Sequence, residues 1–426
     1  MAEFAVEVFQ NEFLADGATD VHAVVRTTVS GAGSAGRSGS GDAAEIIIID
    51  TSGSMAGEKI SAARRAAAVA VDQILDGTWF AVIGGTEVAT RAFPFPNAEL
   101  SIVRMEPGAR AAARTAIGMM EADGGTAIGS WLRLADELFA KAPSATQRHA
   151  ILLTDGKNQH ETRSELASAV AAVRGSFQCD CRGVGADWDV AELRLIATDL
   201  LGSLELLREP RQLAGDFQAL MQAAMNRGVA DVALRVWAPQ GAQVLFVKQV
   251  SPTLEDLTAR RTSVNPLTGS YPTGAWKDET RDYQVAVRLP AKPVGAEQLA
   301  ARVQLAVGDE VVANGLIKAM WSDDEQLTTR INPEVAHYTG QAELAQVIQE
   351  GLAAKAAGDD ETATAKLGRA VQIATQSGND EVTAKLRKVV EVDDAEGGTV
   401  RLKRDVAKLD EMDLDVSSTK TTRVRR

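Results

Sequence analysis

Three oxygen-bearing side chains follow a run of four isoleucines at alternate positions, in the segment IIIIDTSGSM. Asp50 supplies a carboxylate, and Ser52 and Ser54 supply neutral hydroxyl groups. Hard divalent cations such as Mg²⁺ take oxygen ligands in near-octahedral geometry, keep several waters and use only one or two carboxylates. The spacing therefore indicates part of a Mg²⁺ or Mn²⁺ site, with coordination positions left for other loops.

The isoleucine run predicts the element that positions this loop. Consecutive β-branched residues disfavour a helix and are typical of a strand buried on both faces. In an open parallel sheet, ligands bind in the crevice outside the carboxyl ends of the strands. Two later segments reach the same kind of place: ADGGTAIGS, with Thr126 before a helix, and ILLTDGKN, with Asp155 after an apolar strand. Together the segments offer two carboxylates and three hydroxyls for a metal.

The surrounding pattern predicts several domains. Strands alternate with helices through the first half of the chain, which indicates an α/β fold, a doubly wound domain with a mostly parallel sheet. Short strands between Gly/Pro-rich turns then predict a β-sandwich, and alanine-rich amphipathic periodicity interrupted at Gly358 and Gly378 predicts three helices. The predicted ranges are 1–42 for N-terminal strands and a Gly/Ser linker, 43–228 for the α/β domain, 229–326 for the β-sandwich, 327–395 for a small helical domain and 396–426 for a charged, Thr-rich tail.

The two N-terminal strands need partners, because a lone hairpin is marginally stable in water. We expect residues 1–30 to pair with strands of residues 229–325. The α/β domain would then be an insertion in the β-sandwich.

Composition excludes some classes of function. The net charge of -13 and an aromatic content of 4% disfavour phosphate tracking and base stacking, so no nucleic-acid partner is predicted. No apolar stretch approaches the ~18 residues of a membrane span, and the first residues lack signal-peptide features, so we expect a cytoplasmic protein without membrane contact. Cys179 and Cys181 are too few for a disulfide framework or a four-ligand zinc site. They are expected to be reduced thiols on a buried strand.

The motifs resemble a known family. DTSGSM after an apolar strand, GGT further on and LLTDG at a later strand end are similar to the metal-ion-dependent adhesion site of von Willebrand factor type A domains. The resemblance covers about residues 43–228 and all five motif positions. It implies a Mg²⁺ site whose last coordination position is filled by an Asp or Glu of a protein partner, and the domain order is similar to that of actinobacterial cytoplasmic type A proteins. The ligands implied by the resemblance, directly or through water, are Asp50, Ser52, Ser54, Thr126 and Asp155.

Other interpretations of these residues stay open. The Asp and Ser oxygens also suit a helix N-cap, and they are expected to cap the helix that begins near Lys59 as well as bind metal. Asp123 is a candidate for orienting a metal-bound water, the alternative being a solvated loop carboxylate. His160, close after Asp155, is expected to be a surface loop residue.

Catalysis is not predicted. The segment GSMAGEKIS departs from a phosphate-binding loop, because three residues separate Gly53 from Gly57 and Glu58 stands before Lys59. A serine nucleophile would need a positioned base, and His149 precedes its strand, at the wrong end for this role. A Mg²⁺-dependent hydrolase with two carboxylates is the weaker alternative, because no Lys or Arg cluster stands nearby.

The predicted function is a cytoplasmic, metal-dependent protein-binding module that is not an enzyme. Mg²⁺ held mostly by neutral oxygens keeps residual positive charge for a partner carboxylate. The alternative is an adaptor that recruits clients to an AAA+ ATPase.

The C-terminal segment LDVSSTKTTRVRR suggests a regulatory role. Thr419, Thr421 and Thr422 are candidate targets of a Ser/Thr kinase, and Val424 stands three residues after Thr421, a spacing that resembles the preference of forkhead-associated (FHA) domains. A phosphate there would form charge-assisted hydrogen bonds with a partner's arginine. This would place the protein in a kinase- and FHA-linked signalling assembly; the alternative is a solvated or edge-pairing tail.

Overall fold

The computed structural model of the chain describes residues 2–34, 42–96 and 99–423. The chain forms two compact units. The α/β unit comprises Gly31–Asp231 with Gly274–Asp278, and the β/helical unit comprises Ala2–Ser30, Val232–Thr273 and Glu279–Arg426. Across the described ranges, no helix combines the length and the apolar character needed to cross a membrane.

The strands and helices, in chain order, fall into three groups. The N-terminal strands are β1 (Glu3–Gln10), β2 (Phe13–Leu14) and β3 (Asp20–Ser30). The elements that follow them are β4 (Asp42–Asp50), α1 (Glu58–Gln73), β5 (Trp79–Gly85), β6 (Ala89–Phe93), β7 (Val103–Arg104), α2 (Pro107–Gly118), α3 (Ile128–Ala140), β8 (Ala145–Thr154), α4 (Arg163–Val173), β9 (Gln178–Val184), α5 (Val190–Asp199), β10 (Leu204–Leu207) and α6 (Leu213–Met225). The remaining elements are β11 (Val229–Trp237), β12 (Gln243–Ser251), β13 (Glu255–Asp256), β14 (Thr262–Asn265), β15 (Thr268–Trp276), β16 (Glu279–Arg288), β17 (Glu297–Val307), β18 (Glu310–Trp321), α7 (Glu325–Thr328), α8 (Pro333–Ala356), α9 (Asp360–Gln376), α10 (Asp380–Val389), β19 (Val390–Asp394), β20 (Thr399–Leu402) and α11 (Lys408–Ser418).

The α/β unit is built on a seven-stranded, mostly parallel sheet in the order β10-β9-β8-β4-β5-β6, with β7 paired to β5. The neighbours from β10 to β5 run parallel, and only the edge strands β6 and β7 are antiparallel. The four isoleucines of β4 are fully buried, as expected for a central strand covered by helices on both faces. The predicted α/β fold with a doubly wound, mostly parallel sheet is confirmed.

Chain order reverses beside β4, because β5 lies on one side of it and β8 on the other. Such a switch point opens a crevice at the carboxyl ends of the strands. Gly85 ends β5 beneath the indole ring of Trp131 from α3, and a Cβ atom on Gly85 would lie 2.3 Å from that ring. Only glycine therefore permits this close approach, which holds α3 at the crevice.

The described part of the β/helical unit contains two large sheets and the two-stranded sheet β19-β20. One has the order β1-β3-β16-β12-β13, and the other has the order β14-β15-β11-β17-β18-β2. Strand β3 lies between β1 and β16 and pairs antiparallel with both. Val6 and Val8 of β1 lie over Gly315 of β18, where a Cβ atom would be 2.6 Å from Val8. The N-terminal strands are therefore part of a sandwich whose other strands follow the α/β region in sequence.

The C-terminal part of this unit contains more structure than its sequence pattern indicates. Gly358 and Gly378 separate α8, α9 and α10, and both adopt positive φ, which glycine tolerates at a helix end. Beyond them, the region predicted as a charged tail contains β20 and α11. Leu414 of α11 is fully buried in a core shared with Leu367 and Leu386. The apolar pattern of α11 is too short to be distinguished, in the sequence, from the charged residues around it.

Candidate metal centre

The sheet brings the predicted site residues to one edge. Asp50 is the last residue of β4, and Asp155 directly follows β8, the parallel neighbour of β4. Thr126 lies two residues before α3 begins. Asp50, Thr126 and Asp155 are almost completely buried, with exposed fractions of 0%, 3% and 0%. Residues that are up to 105 positions apart in sequence, Asp50 and Asp155, therefore share one crevice.

Asp50 accepts hydrogen bonds from its own loop and from the neighbouring strand. The Ser52 amide donates to Asp50 Oδ1 at 2.8 Å, and the Thr154 hydroxyl donates to Asp50 Oδ2. Burial raises the pKa of the Asp50 carboxyl, although these hydrogen bonds act in the opposite direction. A buried carboxylate with too few partners is costly, so a cation in contact with Asp50 would favour its ionised form.

The two serines connect the first loop to the second carboxylate. Ser54 Oγ donates to Asp155 Oδ1 at 2.7 Å, and Ser52 Oγ lies 3.0 Å from Ser54 Oγ. Either hydroxyl can donate in the bond between the two serines. Both serine oxygens keep lone pairs with which to bind a cation.

Gly156 marks the point on which three oxygens converge. A Cβ atom on Gly156 would lie 3.1 Å from Ser54 Oγ, 3.7 Å from Thr126 Oγ1 and 3.9 Å from Asp50 Oδ2. Oxygens from three separate loops thus surround a place that a methyl group would fill. Hydroxyl and carboxylate oxygens are the donors that Mg²⁺ and Mn²⁺ prefer, so the residues fit such an ion.

The loop of Thr126 is held by two side chains that the sequence pattern did not identify. Glu87 accepts a hydrogen bond from the Gly125 amide at 2.6 Å, and this bond lowers the pKa of the Glu87 carboxyl. His160 Nδ1 accepts from the Thr126 amide at 3.2 Å. His160 is exposed, as expected of a surface loop residue, but it also contacts the site loop.

Lys59 adds a cation to the crevice. Its ammonium group forms an ion pair with Asp155 Oδ2, and the Asp187 carboxylate lies 4.0 Å from the same Nζ atom. Lys59 is in the first turn of α1, the helix that follows the DTSGSM loop. The position of Lys59 in the sequence could have indicated that it lies at the site, because the first turn of a helix after a strand faces the carboxyl edge of the sheet. Thr154 could have been found from its position at the end of β8, directly before Asp155.

The geometry decides one further interpretation and leaves another as a prediction. The N-cap of α1 is Gly57, with no side-chain capping bond, so the expectation that the Asp and Ser oxygens cap this helix is wrong. The chain reaches α1 through the short helical turn Gly53–Met55 instead. Asp123 is exposed, and its Oδ1 accepts a hydrogen bond from the Gly124 amide at 2.8 Å. Its suggested role beside a metal-bound water stays a prediction.

Within the three described ranges, no group of three or more His, Cys, Asp or Glu side chains is placed to hold a metal ion. A metal site at this edge would therefore depend on the hydroxyl oxygens of Ser52, Ser54 and Thr126 as well as on carboxylates. Cys179 and Cys181 are buried free thiols of β9.

The threonines proposed as kinase targets lie in the β/helical unit, after α11. The Thr421 hydroxyl donates to the Val250 carbonyl at 2.6 Å, and the Thr419 carbonyl accepts from the Leu254 amide at 2.8 Å. Thr422 is exposed, and its amide donates to Gln341. Val424 lies outside the described residues. The segment Thr419–Thr422 is therefore docked along the strand region near β12.

Hydroxyl and carboxylate oxygens at the switch point of a Rossmann-like core define a class of metal-binding domains. Comparison of the chain with known protein families and solved structures identifies this class. The model of the von Willebrand factor type A domain matches residues 44–206, and that of the von Willebrand factor type A C-terminal domain matches residues 372–418. A solved structure described as von Willebrand factor type A from Catenulispora acidiphila is 49% identical, with 99% of this chain and 97% of that chain covered and a TM-score of 0.93. The protein belongs to the von Willebrand factor type A family.

Two more distant relatives are similar to this chain. The ArnB paralog VWA2 from Sulfolobus acidocaldarius is 16% identical, with 98% of both chains covered and a TM-score of 0.58, which indicates a shared fold alone. An uncharacterized protein of Synechocystis sp. is 30% identical over 218 residues. That match covers 50% of each chain, so this chain spans about half the length of that curated relative.

Proposed function

We propose that the protein is a Mg²⁺- or Mn²⁺-dependent protein-binding module. Proteins of the von Willebrand factor type A family are commonly metal-dependent interaction modules. The convergence of Asp50, Ser54 and Thr126 oxygens beside Gly156 is the observation that supports this function most directly. Asp50, Ser52, Ser54 and Thr126 would hold the ion, and Asp155 would act through a water. The bound ion would supply a Lewis-acidic position for an Asp or Glu carboxylate of the partner.

The chain's own residues would prepare this site for binding rather than for catalysis. Thr154 and the Ser52 amide orient the Asp50 carboxylate, and Glu87 and His160 fix the loop of Thr126. His149 lies in the middle of β8 rather than before it, six residues before Asp155, so the expected position ahead of its strand is wrong. It is bonded to Glu45 and Asp180 there, so it is not available as a base for Ser52 or Ser54. We propose that the module acts in the cytoplasm, where reducing conditions suit the two free thiols.

Calorimetry with Mg²⁺ and Mn²⁺ on the full chain tests the metal site. Wild type should bind one equivalent, and Asp50→Ala should lose the binding because it removes the most buried ligand. A matched control is Asp72→Ala, which removes an exposed carboxylate of α1 outside the crevice. Equal Mg²⁺ binding by wild type and Asp50→Ala would refute the site. A pull-down from cell extract, with and without EDTA, then tests whether partner binding depends on the metal.

We further propose that phosphorylation of the segment Thr419–Thr422 joins the module to a Ser/Thr kinase- and FHA-linked assembly. Thr422 is exposed to a kinase, whereas Thr421 would have to leave the Val250 carbonyl first. Mass spectrometry of the protein isolated from cells should find phosphate on this segment, with Thr422 modified before Thr421. An unmodified segment in growing and in starved cells would contradict the proposal.

A further inference from the structure

The ion pair between Lys59 and Asp155 adds a positive charge to the proposed metal site. Asp155 is fully buried, and its two oxygens are already used: Oδ1 accepts from Ser54, and Oδ2 contacts Lys59. The Lys59 side chain is 29% exposed, so its ammonium group lies at the boundary between crevice and solvent. The Asp187 carboxylate, 74% exposed, is 4.0 Å from Lys59 Nζ on the solvent side. Lys59 therefore has a second anionic partner within reach of its flexible chain.

We propose that Lys59 sets the net charge of the site, and so makes metal binding weaker and carboxylate binding to the filled site stronger. This inference rests on the proposed function and deepens it. Without Lys59, the charges of a divalent ion and of the Asp50 and Asp155 carboxylates would sum to zero. With Lys59 beside Asp155, the sum over the ion, the two carboxylates and Lys59 is plus one, and the sum without metal is minus one in place of minus two. Asp187 is not counted because it is 74% exposed, so water and salt screen its charge.

The two consequences of this charge have opposite signs. A divalent cation approaching the crevice is repelled by the Lys59 ammonium group, because like charges a few ångströms apart raise the free energy of the bound state. A partner carboxylate approaching the filled site is attracted by the same group, because the crevice is then positive overall. Lys59 therefore acts as a selectivity residue for anionic partner groups, without being a metal ligand.

The experiment separates these effects with Mn²⁺ as the metal and acetate as the carboxylate. Water proton relaxation measures Mn²⁺ binding to the full chain, and it then reports the displacement of Mn²⁺-bound water by acetate at constant ionic strength. The variants are Lys59→Met and Lys59→Gln, which remove the charge, and Lys59→Arg, which keeps it. Lys157→Met is the matched control, because Lys157 is an exposed lysine beside Gly156 in the same loop.

Lys59→Met and Lys59→Gln should bind Mn²⁺ at least about fivefold more tightly than wild type, and their Mn²⁺ complexes should bind acetate at least about fivefold more weakly. Lys59→Arg and Lys157→Met should remain within about twofold of wild type for both ligands. Unchanged or weaker Mn²⁺ binding by both neutral variants would overturn the proposal, and so would tighter Mn²⁺ binding with unchanged acetate binding. If neither wild type nor any variant binds Mn²⁺, the proposed metal site itself is refuted.

Discussion

His149 Nε2 lies 2.8 Å from Asp180 Oδ2 in the interior of the α/β unit, and both side chains are buried. Nδ1 of the same ring lies 2.7 Å from Glu45 Oε2, and Arg227 contacts Asp180 at 3.2 Å. Burial lowers the pKa of His149, but the two carboxylates act more strongly, and the resulting pKa is raised. Burial likewise raises the pKa of Asp180, but hydrogen bonding to His149 and nearby arginines hold it well below its usual range.

This pair predicts how stability depends on pH. A raised pKa means that the His149 contribution is complete below the unfolded value of 6.5 and is lost as pH rises through the folded value. The Asp180 contribution is lost only in acid, so it stays constant between pH 6.5 and 9. The free energy of unfolding of wild type should fall by about 1 kcal/mol or more between pH 6.5 and 9. Urea denaturation of His149→Gln should give a flatter curve; parallel curves would contradict the prediction.

Gly156→Ala should remove metal binding while the fold is kept. The added methyl group would lie 3.1 Å from Ser54 Oγ, within the cluster of oxygens. We expect the free energy of unfolding to change by less than about 1 kcal/mol, because the backbone of Gly156 is not in the left-handed region. Gly215→Ala is the matched control, since a Cβ atom there meets nothing within 4 Å. Calorimetry showing normal Mn²⁺ binding by Gly156→Ala would place the metal elsewhere.

Asp50→Asn should separate metal binding from stability. The amide keeps the shape of the side chain but removes a buried negative charge, whose burial is unfavourable. In EDTA, the variant should therefore be as stable as wild type or more stable by about 1 kcal/mol, and it should no longer bind Mg²⁺. A loss above about 2 kcal/mol in urea denaturation would show that hydrogen bonds to Thr154 and Ser52 outweigh the cost of the charge.

Glu87→Ala should weaken metal binding without removing a ligand. Its carboxylate holds the Gly125 amide at 2.6 Å beside Thr126, and residues that orient metal ligands typically contribute 10- to 100-fold in affinity. We expect about a tenfold increase in the Kd for Mn²⁺. Glu121→Ala controls for the loss of negative charge, because Glu121 is exposed on a nearby loop. Equal losses in the two variants would indicate long-range electrostatics alone.

Leu414→Ala tests the helix found within the predicted tail. Leu414 is fully buried between α11 and the preceding helices, so its truncation should cost about 2–5 kcal/mol in the free energy of unfolding. Thr422→Ala, at an exposed position, should change stability by less than about 0.5 kcal/mol. Urea denaturation followed by circular dichroism measures both. Equal stabilities would mean that α11 does not contribute to the core.

The sequence was most informative where a single local pattern decides the structure. The isoleucines of β4 and the apolar run before Asp155 predicted strands, and their polar continuations predicted where the site residues meet. Strand β15 has a weak sequence signal because it contains Pro272 and two glycines, which are unfavourable within a strand. Glu87 and His160 were missed as parts of the site for another reason. Their roles depend on loops that only the tertiary fold brings to Thr126.

The pairing of β3 with β16 also has a consequence for synthesis on the ribosome. Val29 pairs with Glu279, about 250 residues later in the chain. At roughly 5–20 residues per second, translation of that interval takes about 13–50 s. During this time the sheet formed by β4 to β10 can fold, whereas β3 has one edge without its native neighbour. The nascent N-terminal strands are thus open to chaperones and to pairing with other chains during this interval.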